Sequence, residues 1–255
     1  MSDYAEHAPP SDLAPYVQCF WTRTTAAPLP RPAHRVLPDG AIDILFSLGA
    51  LPEGEREALR GTVVGTMTEP LVLAPQPCEE FVGVRFRPGR ARPLLGFDAF
   101  EMTDRNAALE DVFGSSGRRL LERVREADTI ARRLAIVQQD LRARLARAGA
   151  SDPYVDAIVA EALANGGRLD TVEMARRTGI SPQLLRRRFK QFVGVGPKTF
   201  LRVVRMQRAV ARLQRTRKMD WAGLAALLGH SDQSHLSREF RELTGLSPEE
   251  FRRQA

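Results

Sequence analysis

Between Ser11 and about Thr103 the apolar positions come in short runs separated by turn residues. Gln18–Arg23 is aromatic and β-branched, Ala41–Ser47 follows the turn Pro38-Asp39-Gly40, Gly61–Thr66 and Leu71–Leu73 are brief apolar stretches, and Phe81–Arg87 alternates in part before Pro88-Gly89. Runs of this length, bounded by turn formers, predict short strands. From Asn106 to Arg147 the period lengthens. Leu120, Leu121 and Val124, then Ile130, Leu134, Val137, Leu141 and Leu145, recur every three or four residues with Arg, Gln and Asp between them. That spacing lines one face of a helix.

Ala148-Gly149-Ala150-Ser151 interrupts the pattern with small residues, and Asp152-Pro153 then pairs an N-cap residue with proline at the first helical position. The expected architecture is α+β: a β-rich domain with trailing helices, 1–147, followed by an all-helical domain, 148–255. Tyr154–Asn165 carries Val155, Ile158, Val159 and Ala162 on one face and stops at Gly166-Gly167. A repeat comes next. At an offset of 50, Leu169-Asp170, Ala175 and Gly179 match Met219-Asp220, Ala225 and Gly229. One residue is then inserted, and at an offset of 51 Leu185, Phe189, Phe192, Gly194, Pro197 and Phe200 match Leu236, Phe240, Leu243, Gly245, Pro248 and Phe251. Each copy, 169–192 and 219–243, reads as a capped short helix, a glycine turn and a second helix, which is a helix-turn-helix unit. Asp170 with Glu173 resembles a capping box, and Asp220 stands at the equivalent place.

The second helix of each copy is two-faced. Placed on a helical wheel, Leu185, Phe189 and Phe192 share one side, while Gln183, Arg186, Arg187 and Lys190 share the other. In the second copy Leu236, Phe240 and Leu243 form the apolar stripe, and Ser234, Ser237, Arg238 and Arg241 take the facing arc. Arg donates twice to guanine, Gln pairs with adenine and Ser serves either base, so these arcs suit major-groove readout. The helix joining the copies, Phe200 to Arg215, sets Arg205, Arg208, Arg212 and Arg215 along one edge, with Phe200, Val203, Val204, Val210 and Leu213 largely opposite. Such an edge suits phosphates, and its alternative is a solubilising surface.

Composition sharpens this picture. Among 255 residues, 38 are Lys or Arg and 31 Asp or Glu, a net of +7. Residues 1–150 hold 19 basic and 20 acidic side chains, whereas 151–255 hold 19 basic against 11 acidic. From Arg168 to Lys218, 15 basic residues face only Asp170 and Glu173. A charge density of that kind suits a polyanionic backbone. The 2 cysteines, Cys19 and Cys78, are too few for a disulfide framework or a thiolate zinc site. Each reads as a buried inert thiol or as a redox sensor. No apolar run reaches membrane-spanning length, and the acidic, proline-containing Met1–Pro10 lacks a signal-peptide profile, so a soluble, cytoplasmic chain without a membrane partner is expected.

VEMARRTGISPQLLRRRFKQFVGVGPKTFLRVVRMQRAVARL and LAALLGHSDQSHLSREFRELTGLSPEEFRR together resemble the DNA-binding domain of the AraC/XylS family of bacterial transcription regulators. The resemblance covers Asp152 to Arg253. It implies two helix-turn-helix units bracketing a linker helix, each placing a recognition helix in a major groove of promoter DNA, often with contact to RNA polymerase. Base contacts would then fall on Gln183, Arg186 and Arg187 in the first unit and on Gln233, Ser234, His235, Ser237 and Arg238 in the second. Lys190, Arg205, Arg208, Arg212, Arg215 and Arg241 are expected on the DNA backbone.

The first 147 residues do not resemble the arabinose-type cupin domain. With LPDGAIDILF, GTVVGT and GVRFRPGRARPLLGF they are similar to a poorly characterised N-terminal domain found in some members of the family. Arg35, Asp39, Asp43, Arg85 and Arg87 are expected either to line a pocket for a small effector or to serve as turn caps and ion pairs. No P-loop, dinucleotide glycine pattern, Gly-x-Ser-x-Gly elbow or His-Glu-x-x-His occurs, and His7, His34, His230 and His235 lack ligand-like spacing. The expectation is a non-enzyme without cofactor or metal, an activator and a homodimer, its Ile130–Leu145 helix either mediating dimerisation or packing on its own sheet. The alternative is that the N-terminal half is an enzyme or purely an oligomerisation module.

Overall fold

The structure, a computed structural model, describes residues 2–25, 34–49, 60–73, 80–215, 223, 225 and 233–254. The fold is α+β. Strands β1 (Ser2–His7), β2 (Val17–Thr25), β3 (His34–Val36), β4 (Asp43–Ser47), β5 (Gly61–Val64), β6 (Leu71–Leu73), β7 (Glu80–Phe86) and β8 (Asn106–Ala108) come first. They form an antiparallel sheet of order β1-β2-β7-β4-β5-β8 and a separate β3-β6 pair. The runs read from the sequence correspond to β2, β4, β5, β6 and β7 within a few residues at their ends.

Period-two burial orients the sheet. Ile44 and Phe46 of β4 point inward with Phe20, Val63, Val82, Val84 and Phe86, while Asp43, Leu45 and Ser47 alternate to the other face. The apolar face is covered by α3 (Ser115–Glu126) and α4 (Ile130–Leu145), which contribute Leu120, Val124, Leu134, Val137 and Leu141 to the core. The short helices α1 (Arg92–Leu95) and α2 (Leu109–Phe113) add Leu94, Leu95 and Leu109 to the same core. On the opposite face Trp21 lies across β7 at Gly83, where an added Cβ would meet the indole Cε2 at 2.1 Å. Only glycine admits that ring there.

The helical part follows a break at 148–151. Helix α5 (Pro153–Ala164) begins at Asp152, whose carboxylate accepts from the amides of Tyr154 at 3.0 Å and Val155 at 3.2 Å. Helix α6 (Thr171–Thr178) and α7 (Pro182–Val193) make the first unit. Helix α8 (Pro197–Arg215) leads to α9 (Gln233–Thr244) and α10 (Pro248–Gln254). Most of the second unit's first helix, with Met219, Asp220, Trp221 and Gly229, lies outside the described residues, as does Cys78; Ala225 is described and buried.

Helix α8 serves two cores. Phe200, Leu201 and Val204 pack with Val155, Leu185, Phe189 and Phe192 of the first unit, whereas Val203, Met206, Ala209, Val210 and Leu213 pack with Ala225, Leu236, Phe240 and Leu243 of the second. The repeat survives in atomic detail. Phe189 and Phe200 meet at 5.6 Å between ring centroids, and their counterparts Phe240 and Phe251 meet at 5.5 Å.

Candidate nucleic-acid interface

Helix α7 starts where Ser181 accepts from the Leu184 amide at 3.2 Å and Pro182 occupies its first turn. It ends at Gly194, whose φ of +93° favours a residue without Cβ. Between these stops Leu185, Phe189 and Phe192 are buried, and Gln183, Arg186, Arg187 and Lys190 are all exposed. None of these three cations forms an ion pair with another described residue. The adjacent Arg188 instead turns inward, bonding Asp152 Oδ2 at 3.1 Å and lying 5.2 Å from the Tyr154 ring centroid. The run of three arginines thus has two outward members and one that ties α7 to α5.

On α9 the equivalent positions repeat the arrangement. Ser234, His235 and Arg238 are exposed, Ser237 is half-buried, and Arg241 is exposed with its guanidinium 3.2 Å from Glu250. Gln233 begins the helix, and its side chain lies outside the described residues. The inward position matching Arg188 is Glu239, which bonds Arg202 and Arg205 of α8 at 3.2 Å each. Its side chain is only 8% exposed. A carboxylate so buried needs cations close by, and α8 supplies them.

That pairing changes the basic edge expected on α8. Arg205, which the resemblance places on the DNA backbone, is drawn onto Glu239 and also donates to the Gly167 carbonyl at 3.1 Å. Arg208 stays exposed and reaches the Asn165 carbonyl at 3.4 Å. Arg212 and Arg215 are exposed and form no ion pair with a described residue. Spacing alone aligned the four arginines; a buried acid on another helix separates them.

In α6, Glu173 accepts from Arg176 at 2.7 Å and Arg177 at 2.9 Å. Those bonds hold its carboxyl down at about 2. Arg177 also reaches Glu161 of α5 at 2.8 Å.

The five residues expected to line an effector pocket do not converge. Arg85 bonds Asp43 at 3.0 Å and Asp39 at 3.3 Å, and Asp39 also accepts from the Ala41 amide at 2.9 Å. Arg35 instead donates to the Thr244 carbonyl at the end of α9, and Arg87 to the Ala14 carbonyl. Burial lifts the Asp43 carboxyl to about 6 despite Arg85 beside it. For Arg85, burial pulls downward, but the Asp43 and Asp39 carboxylates outweigh it and the guanidinium is held charged. Burial also pushes the nearby Cys19 thiol up to about 11, away from thiolate reactivity. An open cleft of about 620 Å³ between α3 and α4 is lined by Arg123, Glu126, Arg132, Ile136 and Gln139 and includes none of the five. Among the described residues no His, Cys, Asp and Glu side chains gather as a metal site requires, and no helix is long and apolar enough to cross a membrane.

Residues 5–108 match the model of a family described as Domain of unknown function (DUF6597), and residues 174–254 match that of a Helix-turn-helix domain. The chain is similar to a transcriptional regulator with an AraC-type DNA-binding domain from Chromobacterium violaceum, at 31% identity over 40% of this chain and 91% of that one, with a TM-score of 0.37. It is similar also to the C-terminal domain of AraT, a response regulator from Geobacillus stearothermophilus, at 25% identity over 41% of this chain and 87% of that one, with a TM-score of 0.38. ToxT from Vibrio cholerae aligns over 100% of this chain and 98% of its own at 9% identity and a TM-score of 0.41. No curated protein matches the chain.

Proposed function

Because the chain belongs to the AraC-type DNA-binding transcription regulators, we propose that it reads two successive major-groove segments of one promoter, α7 in the first and α9 in the second. The observation that carries this reading is the equivalence of the two exposed arcs. Gln183, Arg186, Arg187 and Lys190 on α7 stand at the same repeat positions as Ser234, Ser237, Arg238 and Arg241 on α9. In each helix the opposite side is packed on a core shared with α8.

Roles divide by chemistry. Gln183, Arg186 and Arg187, with Ser234, His235, Ser237 and Arg238, present the donors and acceptors that base edges distinguish. Lys190, Arg212, Arg215 and Arg241 lie farther along and suit phosphates, which fix register without reading sequence. Arg205 is withdrawn from that set, and Arg208 keeps only its exposed edge. Control by a small molecule at Arg35, Asp39, Asp43, Arg85 and Arg87 gains no support, since three of these satisfy one another and two point elsewhere.

The test is enrichment of bound duplexes from a random-sequence library with the full chain, followed by footprinting. Two protected major-groove segments about one helical turn apart, roughly 34 Å, are expected. Enrichment of no sequence, or protection of a single segment, overturns the reading.

A further inference from the structure

The two recognition helices are gripped at the same place by the sheet-bearing part of the chain. The hydroxyl of Thr66, just beyond β5, donates to the Val193 carbonyl at 2.7 Å, and the Thr103 hydroxyl donates to the Gly194 carbonyl at 2.7 Å. Arg35, on β3, donates to the Thr244 carbonyl at 2.9 Å. Val193 and Thr244 are equivalent in the repeat, 51 residues apart, and each is the last residue of its recognition helix. The glycines that follow are equivalent too. A Cβ on Gly194 would meet Thr66 Oγ1 at 2.9 Å, and one on Gly245 would meet Arg35 Nη1 at 2.7 Å. Carbonyls at a helix C-terminus lack intrahelical partners and carry the negative end of the helix dipole, so a hydroxyl and a guanidinium are fitting donors.

A third element sits between these grips. Leu37 packs into the second unit's core, the Pro38 carbonyl accepts from Gln207 of α8 at 2.6 Å, and Gly40 lies against the ring of Phe200, where a Cβ would be 2.6 Å from it. The Arg85–Asp39–Asp43 cluster ties that same turn to β4 and β7. These ion pairs thus anchor the turn seated on the linker helix. None of these contacts covers the exposed arcs of α7 or α9, because all of them fall at the C-terminal ends of the two helices or on α8.

We propose that the sheet-bearing part is a jig for DNA reading, with Thr66 and Arg35 as positioning residues that fix the distance and rotation between the two recognition helices. The proposal rests on the two-groove reading above. Rigidly coupled readers gain avidity only when both half-sites fit at once, so a jig makes the spacing between half-sites a determinant of affinity.

The experiment uses the full chain and its own library-selected duplex, with one base pair inserted or deleted between the two protected segments. The native chain is expected to lose about tenfold or more in affinity on either change. The Thr66→Val/Arg35→Met double variant is expected to hold all three duplexes within about threefold of one another while keeping its affinity for an isolated half-site. Thr66→Ser, which retains the hydroxyl, is expected to restore native spacing discrimination when paired with native Arg35. Arg35→Met alone, on the separate β3-β6 pair, gives the same readout in a milder form if the double variant does not fold. Undiminished spacing discrimination in the folded variants overturns the jig, as does indifference to spacing in the native chain. Enrichment of no duplex at all sinks instead the two-groove reading on which it rests.

Discussion

The two helix-turn-helix units share a scaffold and differ in what they present. Their inward faces are nearly interchangeable: Leu185, Phe189, Phe192 and Phe200 against Leu236, Phe240, Leu243 and Phe251, with the same ring contact in each. Their outward arcs are not, since Gln183 and Arg186 face Ser234 and Ser237 at matching positions. The inward ion pair is reversed in sign, Arg188 on Asp152 in the first and Glu239 on Arg202 and Arg205 in the second. Packing tolerates little variation at a fixed volume, whereas exposed side chains and a paired charge vary freely while their partners follow. The scaffold is therefore the repeated quantity and the chemistry is the variable one.

The cores dominate the energetics of both units. Phe189→Ala and Phe240→Ala each empty a fully buried ring site and are expected to cost about 3–5 kcal/mol. Because α8 contributes to both cores, urea unfolding of either variant followed by fluorescence and by circular dichroism is expected to give one coincident transition. Two separated transitions in Phe240→Ala would show that the second unit folds apart from the first.

The reversed ion pair predicts unequal losses. Removing Glu239 leaves Arg205, its side chain only 20% exposed, without a carboxylate, while Arg202 keeps Glu242, so Glu239→Ala is expected to cost about 3 kcal/mol. Removing Arg188 leaves Asp152 still bonded to the amides of Tyr154 and Val155, and Arg188→Met is expected to cost only about 1 kcal/mol. Equal losses in denaturant titration would mean that the two pairs do the same work.

The repeat itself, the two-faced recognition helices, the Asp152 cap and the central strands were legible in the sequence because each is written in local spacing. What was hidden depends on partners far along the chain. Strand β1, Ser2–His7, is polar and shows no apolar period; it exists because it pairs along β2, with Tyr4 and Trp21 6.2 Å apart between ring centroids. Asn106–Ala108 falls where the apolar period lengthens, yet it pairs with Thr62–Val64 of β5 as the sheet's last strand. Arg205 shares its spacing with Arg208 and Arg212, and only the buried Glu239, 34 residues away, distinguishes it. Arg35 and Arg85 look alike beside their strands, yet one bonds a carbonyl 209 residues distant and the other an acid on the neighbouring strand. No periodicity carries information of that range.

The outward arcs are compared directly by Arg187→Ala and Arg238→Ala, which occupy the same repeat position. Each is expected to reduce the preference for a selected duplex over a random one by about 1–3 kcal/mol, and each at a different half-site. Competition binding against duplexes mutated in one half at a time reads this out; loss at the same half-site in both variants contradicts the assignment. Arg212→Ala, on the linker between them, is expected to weaken selected and random duplexes alike and to flatten the salt dependence by about one phosphate. A base-specific loss in that variant would move Arg212 into the reading set.

The smallest expected difference lies in acid. Glu173 of the first unit is held at about 2 by its bonds to Arg176 and Arg177, whereas the matching position in the second unit is Gly223, which has no carboxyl. A carboxyl whose pKa is lower in the folded chain contributes stability that is present above its unfolded value, near 4.5, and that is lost as pH falls toward 2. Its bonds are solvent-exposed, so the contribution is modest. The native chain and Glu173→Gln are therefore expected to differ most in melting temperature near neutral pH and to converge as the pH drops below about 4. A gap that stays constant across that range would mean that Glu173 supports α6 through its aliphatic stem and not through its charge, and the first unit would then be no more acid-sensitive than the second.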